Sequence, residues 1–221
     1  HIGGVPYLLG MRKDIPILGS RLTLALIEAK LKEHRITPFT HTVTEGQKER
    51  LGPFELEFVA VNHSIPDALA VMIRSSAGSV LATGDFKMDQ LPLDGRLTDL
   101  RAFARIGEEG LDLFMVDSTN ADTPGFTPLE RDIGPAIETV MAKTPGKVVV
   151  ASFSSHVHRV QQVLNAAEAS NRKVAFVGRS MVRNMGIASE LGFLEIPDKL
   201  IIEQKHAQDY PDNRIVFMST G

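Results

Sequence analysis

The chain has 221 residues, no cysteine, 43% hydrophobic and 23% charged residues, and a formal net charge of −3. That composition excludes disulfides and thiolate metal sites, so any metal must be held by His and carboxylate. It also offers no global basic field to advertise nucleic acid, although a local basic groove is compatible with a near-neutral average. No apolar run approaches the roughly 20 residues of a membrane helix. The start shows no secretory signal, so a cytoplasmic location and no membrane partner are expected.

In chain order, HIGGVPYLL places a His, an Ile and two Gly ahead of an apolar run. A helix is predicted over GSRLTLALIEAKLKEHR, with Ser20 as its cap and Leu22, Ala25, Leu26, Ala29 and Leu31 as its apolar stripe. Phe54–His63 alternates and then turns apolar, as a strand does. LAVMIRSS and SVLATGDF flank Ala77-Gly78 and read as a hairpin. Leu111–Thr119 is a short apolar run ending in an acid, which suits a buried strand. Thr119–Pro128 is rich in Thr, Pro, Asp and Gly, and a domain boundary is placed there, giving domains 1–122 and 123–221. Beyond it the rhythm changes. TPLERDIGPAIETVMAKT reads as helix, GKVVVASF as strand, HVHRVQQVLNAAEAS as helix, RKVAFVG as strand, SMVRNMGIASEL as helix and NRIVFMST as strand. This alternation has the length of βαβ units on a parallel sheet, so the fold class is α/β.

His34, His41 and His206 lie in charged or Thr-rich contexts and read as surface residues. His63 differs. It ends an apolar strand and is followed at once by a turn-forming Pro and Asp, where a rigid strand end aims the ring. Asp85 in VLATGDF and Asp117 in LFMVDSTN repeat that placement. An acid ending an apolar strand is costly unless paired or metal-bound. Each alone reads as a capped strand end; the three together imply a shared sheet edge. A His with carboxylates suits zinc or manganese. In SFSSHVHRVQQ, Ser154 or Ser155 can cap a helix, with His156, His158 and Arg159 in its first turn. In FVGRSMVRN, Gly178, Arg179 and Ser180 open another. Both are candidate phosphate sites, against the plainer reading of helix caps after βα turns. The G-x-G-x-x-G pattern and a Walker Lys are absent.

Six segments in order now point to a family. HIGGVPYLL, VNHSIPDALA, ATGDFKMDQ, VDSTNAD and the stretches ASFSSHVHRVQQV and VGRSMVRNMGIASELGFL resemble the metallo-β-lactamase superfamily in its β-CASP branch, and within that branch the ribonuclease J family. The resemblance implies part of an αββα sandwich, followed by a β-CASP domain with a parallel Rossmann-like sheet. It implies RNA as substrate, two Zn2+ per complete site with Mn2+ or Mg2+ as alternatives, and homo-oligomers. It matches His1 to the last His of an H-x-H-x-D-H motif, His63 to a metal ligand, Asp85 to a bridging aspartate and Asp117 to an acid that orients a ligand or shares a proton. The expected chemistry is phosphodiester hydrolysis, as 5′–3′ exonuclease, endonuclease or both. Because the front of the His1 motif and the late β-CASP motifs are not in the chain, it is expected to be an internal section with little activity of its own. Two other readings compete. One is a non-catalytic RNA- or nucleotide-binding module, which needs none of His63, Asp85 and Asp117. The other is a hydrolase of the same fold acting on a lactone or thioester.

Overall fold

A computed structural model describes residues 2–220, and the chain divides into two compact units. The first takes residues up to His63 with Asp67–Gln90 and Gly95–Phe126. The second takes Ser64–Pro66, Leu91–Asp94 and the residues from Thr127 on.

In the first unit, helices α1 (Val5–Met11) and α2 (Arg21–Glu33) share an apolar cluster of Leu9, Ile27 and Leu31. Strands β1 (Ile17–Gly19) and β2 (Thr40–Thr42), not anticipated from the sequence, pair in parallel. Ser20 occupies the N-cap of α2, but its hydroxyl donates to the Thr23 Oγ1 at 2.9 Å instead of capping. The cap comes from far along the chain: the Leu22 N–H donates to Asp67 Oδ2 at 2.7 Å. A carboxylate there satisfies an orphan donor and opposes the positive end of the helix.

A five-stranded sheet follows, in the order β3 (Lys48–Leu51), β4 (Phe54–Ala60), β5 (Leu69–Ser75), β6 (Gly78–Ala82) and β7 (Leu113–Met115). The predicted hairpin is β5–β6, closing with Ser75 opposite Gly78. Helix α3 (Leu100–Glu109) lies over the sheet through Ile106, in a core with Val59, Val61, Ala70, Met72 and Leu81. Its signals are local: Asp99 caps it by accepting from Ala102 N at 3.0 Å, and Phe103 and Ile106 share a face. Glu57, buried in β4, is paired by Arg74 and Arg105, which answers the cost of burying a charge. One expectation is corrected. The run ending in Asp117 is an edge strand, and Leu113 and Met115 are 51% and 56% exposed. An edge strand has a neighbour on one side only, so an apolar sequence there does not secure burial.

The second unit has the alternation expected of βαβ units. Helix α4 (Ile133–Lys143) precedes β8 (Val148–Ala151), α5 (Val157–Ala169), β9 (Lys173–Val177), α6 (Arg179–Glu190) and β10 (Ile215–Ser219). The three strands are all parallel in the order β8-β10-β9. Central β10 is buried at Ile215, Val216 and Met218, and α5 turns Val160, Val163, Leu164 and Ala167 inward. Arg172, 4% exposed, sits between α5 and β9. Its guanidinium donates to the carbonyls of Met141 at 2.9 Å, Thr144 at 2.5 Å and Gly146 at 2.9 Å, closing the end of α4. Arg172→Ala strands three acceptors at once. Denaturant unfolding is expected to show a loss of about 2–4 kcal/mol, and Arg172→Lys should recover only a fraction because an ammonium lacks the fork.

Candidate active site

Strand direction builds this site. β4 and β5 are antiparallel, β5 and β6 are antiparallel, and β6 and β7 are parallel. β4, β6 and β7 therefore run the same way and end at the same edge of the sheet. His63, Asp85 and Asp117 each follow one of those ends.

His63 Nε2 stands 3.7 Å from Asp85 Oδ2, with the two side chains 33% and 40% exposed. Burial pushes the His63 pKa below its ordinary value, against the raising influence of the Asp85 and Asp117 carboxylates. Asp117 is set by its neighbours. Its Oδ1 accepts from the Thr119 hydroxyl at 2.5 Å and from Thr119 N at 3.1 Å, and its Oδ2 accepts from Phe86 N at 3.3 Å. Those bonds, the Thr119 hydroxyl first, hold its carboxyl below the usual carboxylate range. The Asp117 N–H donates to Thr83 Oγ1 at 3.0 Å, tying the end of β7 back to the end of β6. Asp117 thus grips the backbone directly after Asp85.

Two donors sharing one zinc, at roughly 2 Å each, stand a little over about 3 Å apart. The His63–Asp85 pair is near that spacing and has the chemistry for a divalent ion, as part of a larger ligand set. Among the described residues no group of three His, Asp or Glu is arranged to hold a metal. His1, the further ligand implied by the resemblance, lies outside the described residues. In the sequence Asp67 reads only as a turn former. Besides capping α2 through Oδ2, it keeps Oδ1 buried with no partner among the described residues. The HSIPD spacing could have flagged a second carboxylate beside His63, but nothing local says which helix it caps.

The candidate phosphate contacts lie in the second unit. The cap of α5 is His156, not Ser154 or Ser155: its Nδ1 accepts from Arg159 N at 3.3 Å. That bond puts the proton of the neutral ring on Nε2, which faces Glu130 Oε2 at 3.8 Å. Ser154 Oγ accepts from Asn184 Nδ2 at 3.1 Å. His158 Nε2 lies 3.5 Å from Asp94 Oδ2. Arg159 is already engaged within its own unit. Its Nε and Nη2 form a fork on Glu130 at 2.6 and 3.0 Å, and Gln162 Nε2 donates to the same carboxylate at 3.1 Å. A largely buried carboxylate has taken the cation that the sequence offered to phosphate. Arg179 is exposed at the first turn of α6, with Ser180 beside it and Gly178 at φ 94° before it. Gly178 and Arg179, but not Ser180, line an open cavity of about 720 Å³ with Phe176, Val182, Arg183 and Glu203. His34 is exposed; His41 pairs with Glu49 at 3.5 Å and His206 with Asp209 at 3.1 Å, as surface residues do.

Residues 145–221 match the family described as Ribonuclease J, beta-CASP domain. The whole chain is 52% identical to a ribonuclease J of Mycolicibacterium smegmatis, spanning 40% of that protein. It is 41% identical to one of Thermus thermophilus, also spanning 40%, and 39% identical to one of Helicobacter pylori, spanning 32%. A crystal structure of a protein of unknown function from Enterococcus faecalis shares the fold, with a TM-score of 0.65 at 14% identity over 94% of this chain and 54% of that one. Over its whole length the chain is similar to these ribonucleases J, and it spans 31 to 40% of the length of the curated relatives it matches.

The Asp117 environment has a measurable consequence. Thr119→Val removes the 2.5 Å hydroxyl bond, so the Asp117 carboxyl is expected to titrate higher, read by carbonyl 13C shifts. With its folded pKa depressed, Asp117 adds stability above its unfolded value of about 4 that is lost as pH falls through the folded pKa. The variant should lose less stability across that acid range.

Proposed function

We propose that this chain carries part of the active site of a metal-dependent ribonuclease, which hydrolyses phosphodiester bonds of RNA in processing and decay from a 5′ end, internally or both. One observation carries the reading. Three strands running the same way deliver His63, Asp85 and Asp117 to one sheet edge, in a chain 52% identical to a ribonuclease J. A hydrolase needs such a convergence; an RNA-binding module does not.

In this reading His63 would help hold one divalent ion and His1 a second, with the Asp85 carboxylate serving both; the ions would be zinc, or alternatively manganese or magnesium. The chemistry such ions supply when bound is activation of water and neutralisation of charge building on the phosphate. The chain's own residues do the rest. Burial favours the neutral His63 ring, the form with a lone pair to offer a cation. Asp117 stays ionised and positions: its Oδ2 holds Phe86 N, and with it the direction in which Asp85 leaves the strand. Ser154, Ser155, His156, His158, Arg179 and Ser180 are the proposed contacts to RNA backbone or a 5′-phosphate; Arg159 supports them through Glu130. A cytoplasmic location and a homo-oligomeric state belong to the same proposal, resting on the family resemblance. No helix is long and apolar enough to cross a membrane among the described residues.

The test is cleavage of 5′-monophosphorylated RNA by the protein expressed from its complete reading frame. His63→Ala and Asp85→Asn are each expected to lower kcat by about 100-fold or more. EDTA should abolish cleavage, and Zn2+ or Mn2+ should restore it. RNA affinity that survives EDTA and His63→Ala, with no cleavage by the unsubstituted protein, would overturn the hydrolase reading in favour of a binding module.

A further inference from the structure

The stretch carrying His63 leaves the sheet through Val61 and rejoins it through Ala68, and one side chain holds both stems. Arg96 Nη1 donates to the Val61 carbonyl at 2.9 Å, and Nη2 donates to the Ala68 carbonyl at 2.9 Å. The planar fork spans the mouth of the loop. Its Nε donates to Glu45 Oε2 at 2.6 Å, which fixes the plane. The main chain of Arg96 joins the same clip, since its carbonyl accepts from Asn62 Nδ2. Asn62 Oδ1 accepts from Thr98 N at 3.2 Å and Thr98 Oγ1 at 3.1 Å, and Asn62 N donates to Thr98 Oγ1 at 3.1 Å. Asn62 is 8% exposed and directly precedes His63.

The clip also reaches the other donor. Lys87 N donates to the Asn62 carbonyl at 2.8 Å, two residues past Asp85. Each donor-bearing segment is therefore tied to Asn62, and Asn62 is tied to the 95–98 segment through Arg96 and Thr98. An exposed Arg–Glu pair contributes little by itself. Here the guanidinium is only 20% exposed and bonds two main-chain carbonyls, a geometry that a fixed fork meets and an ammonium does not.

We propose that Arg96 is a positioning residue for this site: by bridging Val61 and Ala68 it fixes the His63 loop and holds the imidazole against Asp85. The assignment rests on the reading of His63 and Asp85 as metal donors. The test compares Arg96→Gln, Arg96→Lys and His63→Ala in the protein expressed from its complete reading frame, by amide hydrogen exchange, Zn2+ titration calorimetry and RNA cleavage. In Arg96→Gln the amides of Val61, Asn62 and Lys87 should exchange about tenfold faster, while those of Met72 and Leu81 in the sheet keep their rates. Zn2+ affinity should fall about 10- to 100-fold, and kcat about tenfold with KM for RNA within about twofold. Arg96→Lys should behave like Arg96→Gln, because a single ammonium cannot hold both stems.

Unchanged loop exchange or unchanged Zn2+ affinity in Arg96→Gln would overturn the assignment. So would equal acceleration at Met72 and Leu81, which would make Arg96 a general stabiliser. Failure of the underlying reading looks different. If His63→Ala binds Zn2+ and cleaves RNA like the unsubstituted protein, the donor assignment falls, and with it the role of Arg96 in metal binding.

Discussion

The pairing of β4 with β5 is the constraint on which the candidate site depends. Phe58 faces Val71 and Ala60 faces Leu69 in that register, and β5 then faces β6 from Val71 to Ser75. Two antiparallel pairings return β6 to the direction of β4, and a parallel pairing gives β7 the same direction. A strand slipped by one residue would turn its core residues to the other face. Met72 and Leu81, opposite each other and buried, leave no room for that slip. The sheet's apolar packing is thus what aims three polar residues at one place.

The second recurring device is the buried charge tied to main chain or to an opposite charge. Glu57 takes Arg74 and Arg105, Glu130 takes Arg159, and Arg172 takes three carbonyls. Each satisfies a group whose isolated burial would cost several kcal/mol, on the order of a sizeable part of a domain's stability. The same logic sorts cations by availability. Arg159, which sequence offers to phosphate, is engaged by a carboxylate of its own unit. Arg179, at the head of α6, stays exposed.

The electrostatics of the sheet edge are consistent with division of labour between its two acids. Asp117 is surrounded by donors, from Thr119 and Phe86, that stabilise its charge. Asp85 lies beside the His63 ring, whose neutral form burial favours. One acid is fastened to the backbone, and the other faces an imidazole able to share a cation. Environment, not residue type, separates the roles.

Much of this was legible in the sequence, because the relevant signals are local. The β5–β6 hairpin follows from two apolar runs about Ala77-Gly78, and the second unit's helices and strands follow from their periods. His63, Asp85 and Asp117 stand out because a polar residue closing an apolar strand is conspicuous in one dimension. What the chain order could not reveal depends on contacts between distant residues. Ser20 sits at the cap position of α2, yet Asp67 supplies the bond. Leu113–Met115 is as apolar as a buried strand, yet its place at the sheet edge leaves it half exposed. Arg96 has no local signature, and its role exists only because the fold brings Val61 and Ala68 within reach of one fork. The sequence by itself determined the elements and the residue types at their ends, since propensity and periodicity act over a few residues. Tertiary structure alone decided which ends meet and which charges are already partnered, since those depend on strand direction and on burial.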